Sequence, residues 1–362
     1  MSGHGLGHAS RTLEVINTIG RQTGAPPIVV RTSAPAWFFE DGATSRIDVQ
    51  SVETDTGMVQ IDSLTLDEDE TARRAARFYD DFDRRVALEA DVLRAITARA
   101  VVGDIPPLAF AAAVRAGVPS IAFGNFTWDW IYEIYPSFER LAPGVVARIR
   151  DAYARATCTL RLPLHGGFDG MAAIEDLPLV ARRSGRDPRL TREMLHLPPD
   201  EPIVLASFGG FGLKLSYDDI ARENDITLLV TDHETGIPGD GVPAGRVRQV
   251  GRRAITSRGL RYEDLVAAAD VVVSKPGYGI VSECIANDTA LLFTSRGRFA
   301  EQDVFLREMP RVLRCASITP HDLRAGRWRR AILSLLNQPD APDRLAVNGA
   351  DVAAGRILEI YK

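Results

Sequence analysis

Two histidines and three glycines lie within six positions near the start of the chain, in the stretch SGHGLGHASR (residues 2–11). The pKa of an imidazole lies close to neutrality, so His4 and His8 are both candidates for a general base. Glycines let a ligand approach the backbone closely. The helical pattern that follows offers free N–H groups and the positive end of a dipole. The stretch therefore predicts a site for an anionic or sugar-containing ligand.

Two further glycine-rich loops follow apolar strand patterns in the second half of the chain. They are SFGGFG (207–212), which contains Gly209 and Gly210, and SKPGYG (274–279). A single loop of this kind also fits a tight turn between a strand and a helix. Three of them, each before a helical pattern, favour a ligand held between two α/β domains, outside the carboxyl ends of parallel strands.

The loops do not match the motifs of the commonest nucleotide-binding sites. The opening glycines read G-x-G-x-G rather than the dinucleotide fingerprint G-x-G-x-x-G, and no G-x-x-x-x-G-K-[ST] phosphate loop occurs. The apolar run at 27–30 leads into Arg31, where an NAD site would need an acidic residue. These patterns argue against a P-loop NTPase. NADP-dependent oxidoreduction remains as the least favoured of the alternative functions.

Candidate metal ligands are sparse, and we expect no metal site. Cys158, Cys284 and Cys315 are too scattered for a zinc cluster or a disulfide framework. The triplet DED at 67–69 resembles an Asp-x-Asp metal motif, but it opens a helical pattern, where the dipole favours acidic side chains.

Apolar, β-branched runs alternate with helical patterns along most of the chain, which predicts a doubly wound α/β architecture. Most runs are continuous, as in parallel strands that are buried on both faces. A segment rich in proline and charge near 178–200 predicts a linker. We expect a first domain over 1–180, a second over 181–338, and a final helix over 339–362 that returns to the first domain. The strand predictions are 27–30, 100–102, 119–123, 159–162, 202–207, 226–230, 270–274 and 290–294.

The composition is that of an ordinary globular protein with a sizeable core. Of the 362 residues, 45% are hydrophobic and 25% are charged, with a formal net charge of −5. We therefore expect no nucleic-acid partner. No apolar run approaches the length that a membrane-spanning helix needs, and no leader pattern is present, so the sequence predicts a cytoplasmic protein.

Several stretches, taken together, resemble a known family. They are SGHGLGHASR, VVGDIPPLAFAAAVRAGVPSIAFGNFTWDWIY, LRLPLHGGFDG, SFGGFG and SKPGYGIVSECIANDTALLFTSRGRFAEQDVFLREM. This series is similar to the glycosyltransferase-like amino-terminal region of plant L-arabinokinase and its stand-alone bacterial relatives, and more distantly to GT-B sugar transferases. The resemblance covers most of residues 2–310. The sugar-kinase domain of arabinokinase has no counterpart, so kinase activity is not implied.

The resemblance implies two facing Rossmann-like domains. The second domain would hold a nucleotide-sugar donor, for which a UDP-sugar is the first choice, and the first domain would hold an unknown acceptor. The same resemblance implies diphosphate contacts from Lys275, Gly277 and Gly279, and a ribose contact from Glu283. The SFGGFG loop, with Gly209 and Gly210, would supply further backbone donors. Glu301 and Gln302 would bind hydroxyls of the donor sugar.

The resemblance also implies that His8 takes the proton from the acceptor hydroxyl. Asp104 occupies the position of the carboxylate that orients this histidine, and Asp129 is its rival for that role. His4 and His165 are further candidates for the cleft, and the choice between His4 and His8 as base stays open. The Glu-x₇-Glu signature of many retaining enzymes is absent because Lys275 stands at its first position. We therefore expect an inverting, metal-independent reaction.

Two other functions remain open from the sequence, and one feature departs from the family. The chain could be a nucleotide-sugar-binding module without catalysis, or a nucleotide-sugar 2-epimerase, which shares the architecture. Relatives also place a short apolar strand before the SGHG loop, whereas this sequence begins with Met1 at the motif. A start that lacks the first strand would weaken the placement of His4 and His8.

Overall fold

The computed structural model describes residues 1–209, 213, 215–232 and 245–362. Within these residues the strands are β1 (Val29–Thr32), β2 (Asp48–Ser51), β3 (Gln60–Asp62), β4 (Thr65–Leu66), β5 (Val101–Gly103), β6 (Ser120–Phe126), β7 (Cys158–Gly166), β8 (Ile174–Asp176), β9 (Ile203–Ser207), β10 (Thr227–Thr231), β11 (Val247–Val250), β12 (Val271–Ser274), β13 (Ala290–Thr294) and β14 (Cys315–Ile318).

The helices of the same residues alternate with these strands. They are α1 (Leu6–Gly20), α2 (Ala36–Gly42), α3 (Glu68–Asp80), α4 (Phe82–Ala95), α5 (Pro107–Ala116), α6 (Trp128–Glu133), α7 (Pro136–Leu141), α8 (Val145–Tyr153), α9 (Pro188–Met194), α10 (Tyr217–Asn224), α11 (Arg252–Ser257), α12 (Tyr262–Ala268), α13 (Tyr278–Ala286), α14 (Ala300–Val312), α15 (Pro320–Arg324), α16 (Arg329–Leu336) and α17 (Gly349–Tyr361).

The second half of the chain forms one six-stranded sheet in the order β11-β10-β9-β12-β13-β14. All of its pairings are parallel; Val272, for example, lies between Leu205 and Leu291. The four predicted strands of this half are present, and β9, β10, β12 and β13 occupy the middle of the sheet, where side chains are buried on both faces. The two edge strands, β11 and β14, were not predicted, because they are short, partly exposed and carry polar residues.

The first half contains a parallel pair, β1-β2, and a four-stranded parallel sheet in the order β5-β6-β7-β8. Residues at the very start of the chain connect the two sheets. The amino group of Met1 donates to the carbonyl oxygen of Arg31 at 2.9 Å, and the amide of Ser2 donates to the carbonyl oxygen of Asp104 at 2.7 Å. The glycine-rich opening stretch is therefore anchored to the ends of both sheets.

A hydrophobic cluster joins the two halves to the last helix. It contains Val15 and Ile19 of α1, Val281 of α13, and Ala353 and Ile357 of α17. Helix α17 packs along α1, so the end of the described chain contacts the helix that follows the histidine-rich stretch. The boundaries 1–180, 181–338 and 339–362 stay a prediction.

Gly349, at the start of α17, provides a test of this packing. A Cβ atom added there would lie 2.2 Å from the carbonyl oxygen of Pro178 and 2.8 Å from that of Leu179, both of which are backbone atoms. Because the backbone cannot rotate away as a side chain would, we expect Gly349→Ala to destabilise the protein by about 1–3 kcal/mol in urea unfolding.

Gly355 in the same helix is the matched control. A Cβ atom added at Gly355 meets nothing within 4 Å, and the residue is exposed. Gly355→Ala should therefore raise the free energy of unfolding by up to about 1 kcal/mol through helix propensity alone. Equal stability of the two variants would show that α17 does not pack as described.

Candidate active site

A cavity of about 330 Å³ lies between the two halves of the chain. The first half contributes the start of α1, with His4 and His8, and the second half contributes the start of α13 and Lys275. The cavity thus adjoins the carboxyl ends of β9 and β12, which is where α/β sheets bind ligands.

The amino-terminal ends of α1 and α13 meet at this cavity. A Cβ atom added at Gly279 would lie 3.0 Å from the Cα atom of Gly7, so the two helices are in backbone contact. Neither helix has a capping side chain or an acidic residue in its first turn, and Gly5 enters α1 with a φ of 72°. Two uncompensated helix dipoles therefore direct their positive ends to one cavity, an arrangement that favours an anion.

His8 lies beside a buried carboxylate. Its Nδ1 atom is 2.8 Å from Oδ1 of Asp104, and Nη2 of Arg11 is 2.9 Å from the same Nδ1. An unprotonated Nδ1 would direct its lone pair at a carboxylate oxygen, so we assign the proton to Nδ1, which donates to Asp104. This tautomer leaves the lone pair of Nε2 available as a proton acceptor.

Arg11 fixes the carboxylate of Asp104 from the other side. Its Nε donates to Oδ2 at 2.8 Å and its Nη2 to Oδ1 at 2.5 Å, while the hydroxyl of Thr12 donates to Oδ2 at 2.8 Å. Burial alone would raise the pKa of Asp104, but the charge of Arg11 and the hydrogen bonds from Arg11 and His8 lower it well below its ordinary value. Asp104 is therefore an anion at neutral pH.

His4 is in a different environment from His8. The amide of Met58 donates to Nδ1 of His4 at 3.3 Å, and the imidazole ring lies edge-on to Trp128 at 5.4 Å. Burial, followed by the charges of His8, Arg296 and Lys275, lowers the pKa of His4 well below its ordinary value. His4 is thus a neutral imidazole with its proton on Nε2, which suits it to donate a hydrogen bond rather than to accept a proton.

The carboxylates expected to contact the donor are already paired with protein groups. Glu283 accepts from the hydroxyl of Ser10 at 2.9 Å and from Nη2 of Arg182 at 2.6 Å. Glu301 accepts from Nδ2 of Asn125 at 2.8 Å and from Nη2 of Arg296 at 2.6 Å. Both carboxylates line the cavity, and each is linked to a residue of the first half.

Of the other predicted residues, Gly209, Lys275, Gly277 and Gly279 line the cavity, whereas Gly210 lies outside the described residues. Asp104, which contacts the cavity-lining His8, and three further candidates are not among the described residues that line it. Asp129 pairs with Arg150 at 3.1 Å, His165 packs edge-on against Phe168, and Gln302 accepts from the backbone of Arg296 at 2.9 Å. Among the two candidate partners of His8, the structure brings only Asp104 to the imidazole.

Four polar residues of this site were not predicted from the sequence: Arg11, Asn125, Arg182 and Arg296. Arg11 follows His8 by three positions, and in a helix that spacing places both side chains on one face. Asn125 belongs to the stretch NFTWDWIY, which carried the family resemblance, but of that stretch only Asp129 was assigned a candidate role. Arg182 had no signal in the sequence because its partner Glu283 is distant in the chain, and Arg296 was assigned no role although its partner Glu301 follows it by five positions.

Helix α2 covers one side of the cavity. The guanidinium group of Arg252 lies 4.9 Å from the ring centre of Trp37, and its Nη2 pairs with Oδ1 of Asp41 at 2.7 Å. Arg182 lies 5.5 Å from the ring centre of Phe38 and 5.3 Å from that of Tyr262. Helix α2 therefore contacts the second half of the chain through cation–π and ionic interactions.

Neither a metal cluster nor a membrane span is found in the part of the chain that the structure describes. No group of three or more histidine, cysteine or acidic side chains there is arranged to hold a metal ion. Asp67 of the DED triplet caps α3 instead, accepting from the amide of Glu70 at 2.8 Å. Over the same residues, every helix is too short or too polar to cross a bilayer.

The buried pair of Arg11 and Asp104 leads to a test by substitution and pH. We expect Asp104→Asn to destabilise the protein by about 3–5 kcal/mol at pH 7, because it leaves the guanidinium buried without a counter-charge. The folded-state pKa of Asp104 lies below the ordinary value of 3.8, so the stabilisation is complete above that pH and is lost as the pH falls further. In urea unfolding, the difference from the unsubstituted protein should narrow below about pH 4.

The control is another arginine–carboxylate pair, on the surface. Arg161 holds Asp176 through two hydrogen bonds, at 2.6 and 3.0 Å, and the aspartate side chain is 65% exposed. Asp176→Asn should change the free energy of unfolding by no more than about 1 kcal/mol. An equally small effect of Asp104→Asn would contradict the assignment of a buried, charged pair.

Comparison with known proteins begins with the sequence. No model of a protein family matches the chain. L-arabinokinase of Arabidopsis thaliana is 28% identical over an alignment of 373 positions, which covers 99% of this chain and 34% of that protein. The chain thus spans about a third of the length of the relative that it matches, and the resemblance expected from the motifs is confirmed.

Solved structures resemble the whole chain. The glycosyltransferase VinC, in complex with dTDP, has a TM-score of 0.57 at 16% identity, covering 100% of this chain and 94% of its own. A UDP-glucosyltransferase from Polygonum tinctorium has a TM-score of 0.57 at 14% identity, with 99% and 97% coverage. A putative UDP-N-acetylglucosamine 2-epimerase from Listeria monocytogenes has a TM-score of 0.56 at 13% identity, with 99% and 94% coverage. The chain therefore has the GT-B fold that its motifs predict, and its sequence is similar to a region of L-arabinokinase.

Proposed function

We propose that this chain is a glycosyltransferase that moves a sugar from a nucleotide-diphosphate sugar to an acceptor hydroxyl, with inversion at the anomeric carbon. The observation that carries the proposal is the pair His8–Asp104, at 2.8 Å, because its imidazole lines the same cavity as two uncapped helix amino termini. A proton acceptor and an anion site are the two functions that this reaction needs. A UDP-sugar is the first candidate for the donor.

The proposed base is Nε2 of His8. As the acceptor oxygen forms its bond to the anomeric carbon, the bond from that carbon to the diphosphate oxygen breaks, and the acceptor proton moves to Nε2. Asp104 holds the Nδ1–H and stabilises the imidazolium that results. His4 has the opposite role in this proposal, because its protonated Nε2 donates a hydrogen bond to a ligand.

The leaving diphosphate is negatively charged and needs compensation. Backbone N–H groups at the start of α13, the ammonium group of Lys275 and the dipole of α1 all direct positive charge into the cavity. Such preorganised donors stabilise developing charge in a site from which water is displaced. These positive groups support a reaction in which the protein, and not a metal ion, compensates the negative charge of the leaving diphosphate.

Glu283 and Glu301 enter the proposal as donor ligands. Each carboxylate accepts a hydrogen bond from an arginine at 2.6 Å and another from a neutral side chain. The neutral partner is Ser10 for Glu283 and Asn125 for Glu301. A hydroxyl of the ribose or of the sugar can replace the neutral group while the ion pair remains. We also propose the cytoplasmic location that the sequence analysis expects.

A second candidate function is a nucleotide-sugar-binding module without catalysis. The pairing of Glu301 supports it, because both oxygens of this carboxylate already accept from protein groups, Asn125 and Arg296. UDP binding without any release of UDP from UDP-sugars would favour the module. Formation of a 2-epimer from UDP-N-acetylglucosamine would instead favour an epimerase, an activity named for one structure of similar fold.

The proposal predicts a split between binding and catalysis at His8. We expect His8→Ala to lower the rate of UDP release from UDP-glucose, UDP-galactose or UDP-N-acetylglucosamine, with water as acceptor, by about 10²–10⁴-fold, because the general base is lost. The dissociation constant for UDP, measured by thermal shift, should stay within about threefold, since the helix termini and Lys275 are retained.

His165→Ala is the matched control, because this histidine is not among the described residues that line the cavity. It should leave both the rate and the dissociation constant unchanged. A rate within threefold of the unsubstituted protein for His8→Ala would reject His8 as the base. A protein that binds no nucleotide in the thermal-shift measurement would reject the proposed function as a whole.

A further inference from the structure

Hydrogen bonds continue from the His8–Asp104 pair into the second half of the chain. Nη1 of Arg11 donates to Oδ1 of Asn125 at 2.5 Å, and Nδ2 of Asn125 donates to Oε1 of Glu301 at 2.8 Å. Each member of this series is more than nine-tenths buried, and Asn125 has no exposed surface. The series runs unbroken from the proposed base to a carboxylate on α14.

An asparagine is suited to the middle of such a series. A guanidinium group only donates and a carboxylate only accepts, so the residue between them must accept on one side and donate on the other. The partners also fix which end of the Asn125 amide is oxygen. An aspartate at this position would direct an oxygen at Glu301, and an apolar residue would leave both Arg11 and Glu301 with an unmet hydrogen bond.

The fold brings the members of the series from both halves of the chain. Arg11 lies on α1 and Asn125 near the end of β6, whereas Glu301 lies in the first turn of α14. Arg296 holds the second oxygen of Glu301 at 2.6 Å, and its guanidinium group lies 3.6 Å from the ring centre of Phe299. Only the contact between Asn125 and Glu301 crosses between the two halves in this series.

We propose that Asn125 is a positioning residue, which couples occupancy of the donor site at Glu301 to the orientation of Asp104 and thereby of His8. The inference rests on the proposed function, in which Glu301 contacts the donor sugar. A sugar hydroxyl that donates to Glu301 displaces the Asn125 amide. Arg11 then loses or shifts one of its hydrogen bonds, and the fork by which it holds Asp104 moves with it.

The physical basis is the interdependence of buried polar contacts. Away from water, an unpaired donor or acceptor is costly, so the members of a network adjust together. Arg11 contacts Asn125 and both oxygens of Asp104 with a single planar group, so a change at one end reaches the other. By this route, occupancy of the donor site changes how Arg11 holds Asp104, and with it the orientation of the His8 imidazole.

The test follows the proton between His8 and Asp104 directly. In protein labelled with ¹⁵N at histidine, the Nδ1–H resonance of His8 is identified by its loss in His8→Ala. We expect addition of the UDP-sugar to shift this resonance in the unsubstituted protein. Asn125→Asp keeps the acceptor for Arg11 but turns its second oxygen towards Glu301, which breaks the link between the halves.

In Asn125→Asp we expect the resonance to be present and no longer to respond to the UDP-sugar. The turnover number for UDP release should fall at least about tenfold, while the dissociation constant for UDP stays within about threefold. The double variant Asn125→Asp with Glu301→Gln restores a donor opposite an acceptor and should recover the response.

Asn224→Asp is the control for general destabilisation. Asn224 is also buried, donates to the carbonyl oxygens of Ile220 and Gly326, and lies on α10. Its variant should keep the response. If the His8 resonance still responds to the UDP-sugar in Asn125→Asp, the inference is overturned and the proposed function stays intact. The same holds if the double variant is folded by circular dichroism but its resonance does not respond. Failure of the unsubstituted protein to bind any UDP-sugar overturns both proposals.

Discussion

The backbone contact between Gly7 and Gly279 is the constraint on which the site depends. Helices normally pack with side chains between them, at axial distances of 8–10 Å. Here the first turns of α1 and α13 touch without side chains, so two sets of free N–H groups open into a single cavity. The packing is tighter at Gly279, where an added Cβ atom would lie 3.0 Å from the Cα atom of Gly7, than at Gly7, where it would lie 3.5 Å from the amide nitrogen of Gly279.

Around this contact the protein buries three pairs of an arginine and a carboxylate. Arg11 neutralises Asp104, Arg182 neutralises Glu283, and Arg296 neutralises Glu301. Buried ion pairs contribute little net stability, because desolvation offsets their attraction. Their retention here is better understood as geometric, since each pair fixes the orientation of a side chain that faces the cavity or supports one that does.

The sequence predicted the central strands of the second sheet and the meeting of the early histidines with the SKPGYG loop, because buried apolar runs and glycine-rich turns are local signals. It missed β11 and β14, where edge positions allow polar residues. The family resemblance named Asp104 as a partner of His8, and the two side chains lie 2.8 Å apart, while their role in catalysis stays a prediction. The sequence could not foresee that Asn125 would bridge Arg11 and Glu301, because the pairing of side chains that are more than a hundred positions apart is decided by tertiary structure.

The packing of α17 on α1 has a consequence for biosynthesis. A ribosome produces the chain from its amino terminus, and domains generally fold as they emerge. Part of the apolar surface that covers helix α1, including Ala353 and Ile357, is translated more than 300 residues after α1 itself. The helix that carries His8 must therefore remain incompletely covered until α17 has been made, and the cavity acquires its final shape only then.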